Sequence, residues 1–278
     1  EGTAGVVEPE IAGRLPLRLG QPLSEIALDA SRDSLVQAFR NRGYPHAEVL
    51  VNWFVPTETP FEADVRFEVA PGTLAYFGEI EIEGNVNVDT TIVRRMLSFR
   101  SGEVFSQEDL IRSQSNLFSL EVFNHASIQP ILGAGGDSVV PVRVRVNEGN
   151  IHRVRLGAGL NEADCVNAEG RWTSRNFLGG ARRLEVRGGI SNVLASSFGD
   201  GFPCSATGSG IYSELSGSFA VDFTQPWFFS PSNTLGAGLL VERRSYPEVF
   251  VRNVRGGYLS LTRSFGARTS LSFGFRPE

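Results

Sequence analysis

The residues of this 278-residue chain whose types could do chemistry are three histidines, two cysteines and several paired glycines. His46, His125 and His152 are scattered and make no metal-ligand spacing. Cys165 and Cys204 fit no zinc or redox motif, and they become informative only once a topology is assigned. Gly135-Gly136, Gly179-Gly180 and Gly188-Gly189 lack the strand-to-helix context of a phosphate loop, so they read as turns or crowded strand positions. Neither a GxSxG nucleophile elbow nor a P-loop occurs. His46 and His125 fall at equivalent places in two similar stretches, which points to a structural role. We expect no enzyme, no metal and no cofactor. The chemistry left to consider is that of the backbone: an unpaired strand edge offers N–H and C=O groups to another extended chain.

The elements that would carry such edges change along the chain. Before about residue 150, glycine is sparse and helical spacing occurs; after it, Gly, Ser, Arg and aromatic residues dominate and strand patterns follow one another. Leu23, Ile26, Ala27, Ala30, Leu35, Ala38 and Phe39 predict a helix over 23–40, with Gly43 suited to end it. Strands are expected at 46–55 and 62–69, closed by Pro71-Gly72. A fuller unit follows. Phe77, Glu79, Glu81 and Glu83 interleave with Gly78, Ile80 and Ile82, and Gly84-Asn85 marks a turn. Asp89 is an expected N-cap for a helix carrying Ile92, Val93, Met96 and Leu97. Ser106 opens a second helix with Asp109 in the N3 place. Strands at 122–128 and 140–146 complete the unit before Glu148-Gly149. The pattern is β-α-α-β-β, preceded by an α-β-β copy, and Tyr44-Pro45-His46-Ala47 matches Phe123-Asn124-His125-Ala126.

The second half alternates with period two. Ile211, Ser213, Leu215, Gly217, Phe219, Val221 and Phe223 share one face and predict a strand over 211–223. That is longer than the usual globular strand of about 5–6 residues. Shorter alternations recur from Val154 to Phe275, about seven strands in all counting 166–173. Trp172, Phe177, Phe223, Trp227, Phe228, Tyr246 and Phe250 cluster at strand ends, as aromatic girdles do at membrane interfaces. A soluble β-sandwich would also alternate, but strand length and the placing of the aromatics favour a membrane barrel. No apolar run reaches the roughly 18–20 residues of a spanning helix, a limit that does not apply to barrel strands. Net charge is −5, which gives no support for nucleic-acid binding.

Phe77-Gly78-Glu79-Ile80-Glu81-Ile82-Glu83-Gly84-Asn85 resembles the opening strand of a POTRA domain. Arg42-Gly43-Tyr44-Pro45-His46-Ala47-Glu48-Val49 resembles its helix-to-strand passage. Residues 171–180 and Asp222-Phe223-Thr224-Gln225-Pro226-Trp227 are similar to the first two periplasmic hairpins of Omp85 barrels. The resemblance implies a partial POTRA domain at 1–72, a complete one at 73–149 and the first barrel strands at 150–278, a chain truncated at both ends. It also implies residence in the bacterial outer membrane, with the N-terminal region in the periplasm.

With that side periplasmic, loops near 161–165, 192–210 and 245–249 face outward, and 174–181 and 224–233 inward. Cys165 and Cys204 then share the outer, oxidising side, where a disulfide between them is expected; two unpaired surface thiols are the alternative. The family further implies handling of unfolded outer-membrane or secreted polypeptides, contact with outer-membrane lipid and, in some members, periplasmic or lipoprotein accessory subunits. One candidate client-binding edge is Val122, Phe123, Asn124, His125, Ala126, Ser127 and Ile128. The other is the first barrel strand, with Val154, Leu156, Gly157, Ala158, Gly159 and Leu160. The glycines there either loosen a seam or merely fit the barrel interior. The expected function is assembly and insertion of outer-membrane proteins or autotransporter-like clients, as in the BamA- and TamA-like branches, with a two-partner secretion pore as the alternative. An Omp85 variant with an upstream enzyme domain is a third reading.

Overall fold

Helix α1 (Glu25–Arg40) places Leu28, Ser31, Leu35 and Phe39 on its buried side, the i, i+3, i+4 spacing of an amphipathic helix. The computed structural model describes residues 11, 13–59, 61–133, 136–198, 201–206, 208–266 and 269–277. Gly135 of the first glycine pair lies outside them. After α1 the chain turns through Gly43, at φ +102° where an L side chain is strained. An antiparallel hairpin follows: β1 (Glu48–Phe54) and β2 (Asp64–Ala70).

The second module runs β3 (Tyr76–Glu83), α2 (Thr90–Met96), α3 (Gln107–Ser119), β4 (Phe123–Pro130) and β5 (Val139–Glu148). The Thr91 N–H donates to Asp89 Oδ1 (2.6 Å) and the Asp109 N–H to Ser106 Oγ (3.3 Å), so both expected caps form. The helix carrying Ile92 and Val93 stops at Met96, one residue short of the expected Leu97. β3 pairs parallel to β5, and the three-stranded sheet has the order β3-β5-β4. β5 alternates Val140, Val142, Val144 and Val146 inward, all buried, with Arg143 and Arg145 outward against Glu81 and Glu83.

Seven strands follow as one antiparallel meander: β6 (His152–Asn161), β7 (Cys165–Phe177), β8 (Arg182–Val193), β9 (Ser216–Gln225), β10 (Asn233–Tyr246), β11 (Phe250–Phe265) and β12 (Thr269–Phe275). A four-residue helix α4 (Ala195–Phe198) lies in the long β8–β9 connection. The register makes two different faces. On one, Val154, Trp172, Val186, Val221 and Leu239 stand in a row across five strands. On the other, the row is Arg153, Thr173, Glu185, Asp222, Gly238 and Tyr258. Gly238 leaves space for the Tyr258 ring, whose hydroxyl donates to Asp222 Oδ1 (2.8 Å).

The expected strand over 211–223 is corrected. Pairing starts only at Ser216, and Gly210–Tyr212 forms a 3-10 turn. The cause is Arg243, whose guanidinium takes the carbonyls of Ile211, Glu214 and Leu215 out of any ladder. Asn192 Nδ2 likewise donates to the Tyr212 and Glu214 carbonyls.

By contacts the chain divides into two compact units. One comprises Glu1–Glu83, Leu97–Ser115 and Ser127–Arg145; the other Gly84–Met96, Asn116–Ala126 and Val146–Glu278.

Candidate functional site

β6 pairs with β7 along its whole length and with nothing on its other side among the described residues. Nine of its ten residues are exposed, Val154, Leu156 and Leu160 among them. Gly157 and Gly159 sit opposite Glu169 and Asn167, whose side chains lie 3.1 and 3.0 Å from where a Cβ would stand. These glycines admit neighbouring polar side chains, whatever else they do for the edge.

The polar face beside β6 is rich in arginine. Arg155, Arg171 and Arg187 stand directly opposite one another on β6, β7 and β8. Arg153, Arg155, Arg171, Arg175 and Arg183 line a cleft of ≈ 80 Å³ with Thr173 and Glu185. Glu185 is buried and already shared: Arg183 reaches Oε2 at 2.8 Å, Arg171 approaches Oε1 at 3.5 Å, and Thr173 Oγ1 donates to Oε2 at 3.3 Å. Arg187 pairs with Asp222 (3.2 Å) and Arg183 also with Glu121 (2.9 Å). This cluster was not singled out from the sequence. Its signal is arginine at alternate strand positions, which becomes a cluster only when the register is known.

The other candidate edge is β4, at the end of the order β3-β5-β4. Phe123, Ala126 and Ile128 are buried, and Asn124 and His125 are exposed. Val122 precedes the strand; it is buried and its carbonyl accepts the Gly149 N–H (2.8 Å). Sequence reasoning missed the exposed apolar side chains on and beside the β1–β2 hairpin: Leu50, Trp53, Phe54, Val55 and Phe61.

Within the second unit, the turn residues form an interlocked set. Trp227 Nε1 donates to the Gly180 carbonyl (3.0 Å), and Arg95 lies 4.5 Å over the Trp227 ring. Arg182 Nε donates to Gln225 Oε1 (2.7 Å). Asn176 closes its own turn by accepting the Ala181 N–H and donates to the Asn87 carbonyl (2.9 Å). The segment 86–88 is held by one carboxylate: Glu148 accepts the N–H groups of Val86, Asn87 and Val88 at 2.8–3.0 Å and the Asn87 amide at 2.8 Å. Burial alone would raise the Glu148 carboxyl; the donors from Val88, Asn87 and Val86 outweigh it and hold it below its ordinary 4.5.

Trp172 stacks on His152, but β7 runs on to Phe177, so Trp172 stands inside the strand and not at its end as expected. Phe177, Phe223, Trp227 and Phe228 sit at or beside that end, while Tyr246 and Phe250 pack together at the opposite one. Cys165 and Cys204 are joined by a disulfide and buried with Ala195. No group of three or more His, Cys, Asp or Glu side chains suited to a metal occurs among the described residues.

A model of the POTRA family, described as a surface antigen variable number repeat, matches residues 75–149. A putative outer membrane protein assembly factor of Treponema pallidum (strain Nichols) is 23% identical over 197 residues, covering 67% of this chain and 23% of that protein. BamA from Haemophilus ducreyi lacking POTRA domains 1-3 has a similar fold, with a TM-score of 0.66 and 19% identity over 96% of this chain and 47% of its own. CdiB from Escherichia coli does too, with a TM-score of 0.55 and 14% identity over 99% of this chain and 49% of its own. The chain thus spans about a quarter of the curated relative's length and about half that of either structure.

Proposed function

We propose that the chain is a member of the Omp85 superfamily and serves the assembly and insertion of outer-membrane proteins, receiving unfolded β-strand clients by strand addition. The observation that carries this reading is β6: ten residues of backbone pair with β7 on one side and with no strand among the described residues on the other. β4 supplies a second edge of the same kind, suited to hold a client before it reaches the sheet. The reading takes residues 1–72 and 73–149 as periplasmic modules and 150–278 as barrel strands in the outer membrane. Its partners are unfolded polypeptides, lipid and accessory subunits, and it assigns no catalysis to the chain. Support comes from the apolar face that Leu156, Phe219, Leu239, Leu259 and Phe273 leave exposed, a surface that lipid can cover.

A photo-crosslinker at Leu160 or at His125, in cells making an outer-membrane client, tests the proposal. The expected products join the client's terminal strand to β6, with weaker products at β4. Client crosslinks confined to the polar face of β9–β11, with none at β6, would instead support passage through the lumen, as in a two-partner secretion pore.

A further inference from the structure

We propose that the arginine cluster beside β6 selects clients by charge, favouring an extended segment with carboxylates at alternate positions on the face that continues the polar wall. This rests on β6 being the receiving edge. A strand added there continues the alternation, so every second side chain stands beside Arg153 or Arg155, at the cross-strand distance of about 4.5–5.5 Å between Cβ atoms.

Three features suit this wall to an anion. Arg155, Arg171 and Arg187 face each other across three strands, and like charges directly opposite are unfavourable. Glu185 already serves Arg171 and Arg183, Asp222 serves Arg187, and Glu121 serves Arg183. Arg153, Arg155 and Arg175 have no ion-pair partner among the described residues, although Glu169 lies on the same face opposite Gly157. A guanidinium fork suits a carboxylate or a phosphate. The face decides between them. Val154, Leu156, Trp172 and Val186, where lipid would lie, point away from the arginines, so a peptide strand reaches the cluster and a membrane headgroup does not.

The test uses the full-length protein in lipid nanodiscs and two labelled peptides of one amphipathic strand sequence, with Glu or with Gln at two alternate polar-face positions. Crosslinking at Leu160 reports seating on β6. The Glu peptide is expected to bind about tenfold more tightly, and the difference to shrink as salt rises. In Arg153→Gln/Arg155→Gln the Glu peptide should fall to the affinity of the Gln peptide, whose own binding stays unchanged. Arg153→Lys/Arg155→Lys should keep most of the preference, which separates charge selection from a folding defect. Equal affinities with both peptides seated on β6 would overturn charge selection and leave the receiving edge standing. Seating of neither peptide would overturn both. Phosphatidylglycerol vesicles shielding Arg153 and Arg155 from phenylglyoxal, with no shielding by the Glu peptide, would make the cluster a headgroup site and overturn the proposal.

Discussion

At the scale of single residues, Glu148 has the most concentrated role. One carboxylate closes the 86–88 segment with four donors, and hydrogen bonds to a charged acceptor contribute more than neutral ones. Glu148→Gln keeps the size and removes the charge; a cost of about 1–2 kcal/mol is expected for this half-exposed site. Hydrogen exchange should show the amides of Val86, Asn87 and Val88 losing roughly tenfold or more of their protection. The pH dependence has a definite sign. The folded carboxyl is held below 4.5, so its contribution is complete above that pH and disappears as pH falls below it through the folded value. In the wild type, protection of these amides should therefore decline in acid; in Glu148→Gln it should be low and flat. Little of this was legible beforehand. Glu148-Gly149 reads as a module end, but nothing local ties it to a loop some 60 residues upstream.

At the scale of elements, local pattern located the strands and left their ends open. Caps at Asp89 and Ser106 were legible because a cap is decided within three residues. The start of β9 was not, because period-two alternation continues through Ile211–Leu215 whether or not a partner exists. A distant side chain, Arg243, withdraws those carbonyls from pairing. The same connection holds the disulfide. Cys165 begins β7 and Cys204 lies 39 residues on, so the bond ties the long β8–β9 connection back to the sheet. Alkylation without reductant should leave the mass unchanged, and reduction first should add two labels. Cys165→Ser/Cys204→Ser should make residues 194–215 open to protease while the strands stay intact. Addition of two labels without reductant would show instead a pair of free thiols.

At the scale of the whole molecule, the two faces of the seven-stranded sheet must meet different surroundings. Val154, Trp172, Val186, Val221 and Leu239 form an apolar row; one position along, Arg153, Thr173, Glu185, Asp222, Gly238 and Tyr258 form a polar one. A one-residue slip of β8 or β9 would bring Arg187 or Asp222 to the apolar side, so the register of these strands is strongly specified. The alternation itself was legible in the sequence; the alignment of arginines on three adjacent strands was not, since register is a relation between strands. Leu239 lies near the middle of β10 and is 70% exposed, an arrangement that water would penalise and lipid would not. Leu239→Arg should then lower the unfolding free energy in lipid vesicles by about 2–4 kcal/mol, the cost of arginine near a bilayer midplane. Ser218→Arg, on the polar face beside Glu242, should cost less than about 1 kcal/mol, as most surface substitutions do. Urea titrations of the two variants in the same vesicles compare the faces directly. Equal small costs would mean that Leu239 faces water, and the apolar row would then need a protein partner to cover it rather than a membrane.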